Sequence, residues 1–187
     1  MDERKWIERI LAGDTQSFSC LVAKYEKMAY TIALRILENR EEAEEAVQDA
    51  FVKMYRALSD FHFDSKFSTW FYRIVYRTAL TALRQQRMFV SYEEAGPVDL
   101  SNDEVESATA LLEREDQKEM IARTLKKLPA DEALLLTLYY LEECSVEEIC
   151  QITELSASNV KVKLFRGRKR FYEVLQDKMK LETADLL

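Results

Sequence analysis

Apolar residues recur along this chain at intervals of three and four, which predicts helices over residues 2–11 and 15–37. The second of these gathers Phe18, Leu21, Val22, Tyr25, Met28 and Ile32 on one side, and Gly13-Asp14-Thr15 marks the break before it. A third helix over 41–58, advancing about 100° per residue, turns Val47, Ala50, Phe51, Met54 and Leu58 inward. Glu45, Gln48, Asp49, Val52 and Arg56 then point outward. After a loop at 59–66, "KFSTWFYRIVYRTALTALRQQRM" predicts a helix reaching residue 88, with Ser68 or Thr69 as its cap. Phe67, Phe71, Ile74, Val75, Thr78 and Ala82 share one face of it, and Arg73, Arg77, Thr81 and Arg84 share the other.

The same spacing returns after residue 119. Pro129 opens a helix with Asp131 and Glu132 in its first turn, where acids suit the positive end of the helix dipole. "SVEEICQI" sets Ser145 and Glu148 at capping-box spacing. A turn at "TELS" follows, and Ser156 or Ser158 caps the last helix, so two helices joined by a short turn give the outline of a helix-turn-helix. In that last helix Val160, Leu164, Gly167, Phe171, Val174 and Leu175 fall within one arc, while Ser158, Asn159, Val162, Phe165, Arg166 and Lys169 fall opposite it. Cations, hydroxyl and amide groups, and two apolar side chains able to meet thymine methyls make an outward face suited to a major groove.

Composition narrows the class. With 3 Gly and 2 Pro in 187 residues the chain has few places to turn sharply, so an all-α fold is expected, divided into two small helical domains. Charge supplies the division. Residues 93–119 are rich in acids, including Glu93, Glu94, Asp103, Glu104 and Glu106, and contain "AGPVDLSND", which reads as an acidic linker with helix resuming towards its end. On one side of it residues 66–90 hold Lys66, Arg73, Arg77, Arg84 and Arg87 without an acid. On the other, Lys161, Lys163, Arg166, Arg168, Lys169 and Arg170 crowd into ten residues. A formal net charge of -7 argues against indiscriminate nucleic-acid binding, yet each basic zone can still attract phosphate locally. The acidic connector is a candidate mask for those faces in the free protein.

The chemistry of catalysis is missing from the pattern. Cys20, Cys144 and Cys150 lack paired zinc spacing and read as buried free thiols of a protein inside the cell. His62 is the lone histidine and sits in the loop "DFHFDSKFS"; G-x-S-x-G, H-E-x-x-H and a glycine-rich phosphate loop are all absent. A non-enzymatic protein without cofactor or metal is expected. "MDERKWIERIL" has no apolar signal region and no run approaches a membrane span, so a soluble cytoplasmic protein without membrane insertion, monomeric when free, is expected.

Two readings of the helix faces stay open on residues alone. The outward face at 45–56 suits a docking surface or a solvated helix. Trp70, Tyr72 and Tyr76 among the arginines suit a single-strand binder, with cations for phosphate and rings for stacked bases, or they are core.

Three ordered motifs resemble the extracytoplasmic-function (ECF, group IV) sigma factors of bacterial RNA polymerase. "REEAEEAVQDAFVKMYRAL" resembles the family's region 2.2, "FSTWFYRIVYRTALTALRQQR" its regions 2.3 and 2.4, and "LKKLPADEALLLTLYYLEECSVEEICQITELSASNVKVKLFRGRKRF" its region 4. The resemblance implies a sigma-2 domain at 1–92, a linker at 93–118 and a sigma-4 domain at 119–187. It implies a factor that binds core RNA polymerase, recognises minus-ten and minus-thirty-five promoter elements and promotes DNA opening. By family position, Glu45, Gln48, Asp49, Val52 and Arg56 dock on the beta-prime clamp. Phe61, His62, Phe63, Lys66, Ser68, Arg73, Arg77, Thr81 and Arg84 handle the minus-ten element. Ser158, Asn159, Lys161, Val162, Phe165, Arg166 and Lys169 read the minus-thirty-five element, and the same domain touches the beta flap. An anti-sigma factor, often held at the membrane, is a further implied partner.

The chain also departs from the family pattern. Arg77 and Thr81 stand where an Asn and an Asp or Asn are usual, and Glu154 stands where the helix-turn-helix turn usually has Gly. Asn159 and Val162 replace the usual Thr and Ser of the recognition helix, and Phe165 replaces a His. The rival reading is a stand-alone helix-turn-helix transcription regulator, which would share the C-terminal third but has no need of the basic aromatic helix at 67–88.

Overall fold

The computed structural model describes residues 3–90 and 112–184, with side chains described over 3–86 and 119–176. Eight α-helices and no strand occur among the described residues. They are α1 (Glu3–Leu11), α2 (Thr15–Leu37), α3 (Arg40–Arg56), α4 (Phe67–Val90), α5 (Leu112–Lys126), α6 (Ala130–Tyr140), α7 (Val146–Thr153) and α8 (Ala157–Ala184). The expected linker falls outside the described residues up to position 111, and so does the masking role proposed for it; α5 takes up its last part.

Local chemistry sets most of the helix ends. Asp14 accepts from the Gln16 N–H at 3.0 Å to start α2, and Asn39 accepts from the Glu42 N–H at 3.2 Å to start α3. The Ser145–Glu148 capping box forms with both of its hydrogen bonds. Ser156 caps α8, accepting from the Asn159 N–H at 3.3 Å. Two boundaries differ from the pattern. α4 starts at Phe67 because the Trp70 N–H reaches the Lys66 carbonyl at 3.1 Å, so Ser68 and Thr69 lie inside its first turn and do not cap it. α3 stops at Arg56, and Leu58 is buried from a short 3-10 turn, Leu58–Asp60.

Helices α1 to α4 form the first unit, around an aromatic centre. Phe71 is fully buried, with ring centroids of Phe51 at 4.8 Å, Tyr25 at 6.0 Å and Phe67 at 6.2 Å. Of the rings left open on the sequence, Tyr72 is buried and Trp70 and Tyr76 are half-buried, so the core claims most of their surface. Cys20 departs from expectation. It lies on the outward side of α2, one position before the inward Leu21, and is exposed; Cys144 is buried and Cys150 half-buried.

The second unit is organised on α6, whose residues Glu132 to Leu138 are all buried. A helix buried on every side must have neighbours on every side. α8 and α7 cover it from its own unit, and α2 covers it from the first. α7 in turn lies along α4, so the buried side chains of both units join into one continuous cluster.

Candidate nucleic-acid interface

The six cations near the C-terminus separate by the side of α8 they occupy. Arg170 Nη1 lies 3.0 Å from Glu132 Oε1, Arg168 donates to the Tyr140 hydroxyl at 3.2 Å, and Lys163 pairs with Asp131. All three partners belong to α6, so these cations fix α8 on its own unit. Lys161, Arg166 and Lys169 are exposed beside Ser158, Asn159, Val162 and Phe165; among these, Lys169 meets Glu173 at 3.9 Å one turn on. Val162 is 46% and Phe165 65% exposed, which leaves two large apolar side chains in water with no packing role. The inward arc is real at its start, where Val160, Leu164 and Gly167 are buried, and loosens at Phe171, Val174 and Leu175, which are half-buried.

Gly167 explains how close the two helices come. A Cβ built there would lie 3.2 Å from Leu136 Cδ1 and 3.3 Å from Glu132 Cβ, so α8 crosses α6 at a distance only glycine accommodates without a shift.

The α4 face splits differently. Arg73, Arg77, Thr81 and Arg84 are exposed as the pattern requires, and the Thr81 hydroxyl donates back to the Arg77 carbonyl at 2.9 Å. In the preceding loop His62, Phe63 and Lys66 are exposed and Ser68 is half-buried. Phe61 is buried, its ring 4.7 Å from Phe63 and 5.0 Å from Trp70, and serves as the floor beneath the loop. Phe63 holds a positive φ of 60° and is 40% exposed, with its ring resting against that floor.

On α3, Glu45, Gln48, Asp49, Val52 and Arg56 all lie on the solvent side, with Val52 47% exposed. A groove runs between this face and α4, lined by Glu45, Asp49, Lys53, Thr78, Thr81 and Gln85.

Sequence reasoning did not find the acids that meet α4 from the second unit. Glu154 Oε1 accepts from Arg77 Nε at 2.8 Å, also from its Nη2, and lies 3.4 Å from Arg73 Nη2. Glu148 Oε1 is 3.0 Å from Lys66 Nζ, and the Tyr72 hydroxyl donates to Glu142 Oε2 at 2.8 Å. The Arg77 hydrogen bond, helped by the Arg73 charge, holds the Glu154 carboxyl below its ordinary range. Glu148 hydrogen-bonds to Lys66 and so raises the Lys66 ammonium above its own. Burial raises the Tyr72 phenol, and Glu142 adds to the effect. One signal was available in the sequence: Glu154 occupies a turn position with φ of 62°, where glycine is the low-strain choice.

Among the described residues no group of three or more His, Cys, Asp and Glu could hold a metal ion, and no helix is long and apolar enough to cross a membrane.

An outward, partly apolar and basic α8 in a helix-turn-helix, joined to a helical bundle with a basic α4, defines a two-unit DNA-recognition protein. Comparison with known proteins makes that class specific. Residues 21–88 match the family model of Sigma-70 region 2, and residues 118–171 match Sigma-70, region 4. The RNA polymerase sigma-H factor of Pseudomonas aeruginosa is 32% identical over 181 residues, covering 93% of this chain and 94% of that protein. The ECF RNA polymerase sigma-E factor of Escherichia coli (strain K12) is 31% identical over 170 residues, covering 87% and 88%. Among solved structures, the sigma factor RpoE in complex with the anti-sigma factor NepR from Bartonella quintana aligns with a TM-score of 0.69 at 18% identity, over 86% of this chain and 98% of that one. CnrH in complex with the cytosolic domain of CnrY aligns with a TM-score of 0.61 at 21% identity, over 94% and 97%. These two structures share the fold. The chain belongs to the sigma-70 family of RNA polymerase sigma factors and is of the ECF type.

Proposed function

We propose that this sigma factor binds core RNA polymerase, recognises a minus-ten and a minus-thirty-five promoter element and promotes opening of the DNA for initiation. The observation that carries the reading is the exposed set Val162, Phe165 and Arg166 on a capped, tightly seated α8: large apolar side chains kept in water beside a cation suit thymine methyls and a guanine edge. α8 then enters the major groove of the minus-thirty-five element, with Ser158, Asn159, Lys161 and Lys169 on bases and phosphates.

The loop before α4 and the face of Arg73, Arg77, Thr81 and Arg84 take the minus-ten element as single strand, with His62, Phe63, Lys66 and Ser68 around the captured base and Phe61 supporting them. Holding one strand by stacking and phosphate contacts favours the melted duplex, so binding itself drives opening without ATP. Glu45, Gln48, Asp49, Val52 and Arg56 dock on the beta-prime clamp, and the second unit touches the beta flap. The working domains are sigma-2 at 1–92 and sigma-4 at 119–187. An anti-sigma factor is the expected regulator, in keeping with the solved relatives bound to one, and the site of action is the cytoplasm, at the nucleoid or held at the membrane through that partner.

The test is reconstitution. Purified protein and core polymerase should form a stable complex that initiates from specific genomic fragments, and specific duplex binding by the chain alone without a core complex would favour a stand-alone regulator. In the holoenzyme Arg166→Ala should lower minus-thirty-five discrimination by about 1–3 kcal/mol and spare core affinity. Asp49→Ala should weaken core affinity and leave discrimination unchanged; unaltered core binding rules out α3 as the docking face.

A further inference from the structure

We propose that Glu154 latches the two units together and, in doing so, occupies the arginines that would otherwise hold the minus-ten strand. The minus-ten role of those arginines is the reading given above; the latch itself rests on the contacts between the units.

The contacts follow α4 along its length, beginning at the residue before it. Lys66 meets Glu148, Tyr72 meets Glu142, and Arg73 and Arg77 both meet Glu154. The three acids come from three separate places in the second unit: the turn after α6, the first turn of α7 and the turn between α7 and α8. Their convergence on a helix face with no acid of its own between residues 66 and 90 is charge complementarity built by tertiary structure.

Glu154 is the most informative member. Its backbone has the left-handed conformation that closes α7, with its N–H on the Cys150 carbonyl at 2.9 Å. Glu38 and Glu143 adopt the same left-handed backbone, so what sets Glu154 apart is the end of its side chain. That end is shared between Arg73 and Arg77. Two departures from the family pattern, Glu154 for Gly and Arg77 for Asn, thus turn out to be partners.

A guanidinium paired through Nε and Nη2 with a carboxylate has its preferred anion-binding edge filled. Phosphate of a single strand must displace Glu154 to reach it. The recognition face of α8 is unaffected, because Val162, Phe165 and Arg166 stay exposed while the latch is closed. Masking is therefore one-sided: Lys66, Arg73 and Arg77 of the minus-ten face are paired with acids of the second unit, and the outward face of α8 is open. Exposed ion pairs are individually weak, so the latch biases the closed form by about threefold to fivefold rather than locking it, and salt loosens it.

Glu154→Gly is the informative variant, since glycine removes the carboxylate and relaxes the positive φ, leaving the turn intact. Glu154→Gln keeps the side-chain shape and removes the charge. In the full-length free protein, single-molecule energy transfer between dyes on Cys20 and on a cysteine at Gln176→Cys, in a Cys150→Ser background, reads closure. Binding to a random-sequence single-stranded DNA 12-mer and to a random-sequence duplex reads access. Both Glu154 variants should raise the open-to-closed ratio by about threefold to fivefold at low salt, tighten single-strand binding by a similar factor and leave duplex binding unchanged. Half-molar salt should bring the wild-type protein to the distribution of the variants. Unchanged energy transfer in both variants overturns the latch. Opening with no gain in single-strand affinity upholds the latch and withdraws the minus-ten role from Arg73 and Arg77.

Discussion

Gly167 offers a direct test of how α8 is seated, because two opposed effects can be separated by varying one side chain. Replacing it with alanine in a helix interior gains about 1 kcal/mol of helix propensity. The added Cβ meets Leu136 Cδ1 at 3.2 Å and Glu132 Cβ at 3.3 Å, closer than ordinary contact, and the shift this demands costs about 1 kcal/mol. Gly167→Ala should therefore unfold at nearly the wild-type denaturant concentration. Gly167→Leu keeps most of the propensity gain but places three more carbons between α6 and α8, an overpacking of about 3 kcal/mol, for a net loss of about 2 kcal/mol. Urea unfolding followed by circular dichroism gives both numbers. Because the same crossing sets the direction of Val162, Phe165 and Arg166, the leucine variant should also lose minus-thirty-five discrimination in whatever fraction stays folded. A leucine variant as stable as the wild type would mean that the helices do not approach as described.

Three further outcomes follow from other parts of the structure. Ser145→Ala removes one half of the capping box at the start of α7 and should lower stability by about 1 kcal/mol in the same unfolding assay. Iodoacetamide at mildly alkaline pH should modify exposed Cys20 well before Cys144, whose thiol is pushed up to about 11 by burial and by the charges of Glu148 and Glu142; peptide mass spectrometry resolves the order. Closure of the two units should not respond to pH between about 6 and about 9. Glu154 is depressed below 4.5, so its contribution is complete above that value and is lost only as pH falls through the lower folded value. Lys66 is raised above 10.5, so its contribution is complete below that and is lost as pH rises further. A closed fraction that changed across neutral pH would contradict both assignments.

Most of the helical order was readable from spacing, because α2, α3 and α4 each bury one stripe and the positions of that stripe repeat. α6 shows where that method stops. Its apolar residues surround the helix, and nothing in their spacing indicates that α2 of the other unit is one of the neighbours. The outward set on α8 was readable by angle. The division of its cations between Asp131, Glu132 and Tyr140 on one side and solvent on the other was not, since it depends on which residues of a helix 28 to 38 positions away lie opposite. The α4 partners of Glu142, Glu148 and Glu154 were invisible for the same reason, compounded by the sequence separation between Arg77 and Glu154 of 77 positions. The Ser68 and Thr69 caps failed because α4 begins earlier: the Lys66 carbonyl accepts its first intrahelical bond, which leaves Ser68 and Thr69 inside the first turn.

The contact between α7 and α4 joins two parts of one polypeptide, and this changes how it responds to abundance. Two units on one chain meet at an effective concentration set by the segment that joins them, so contacts too weak to form between separate molecules can still be made. Their occupancy does not depend on how many copies the cell holds. A partner protein that masks a sigma factor can be outnumbered when expression rises; Glu154 is supplied one for one with the arginines it covers and cannot be titrated away.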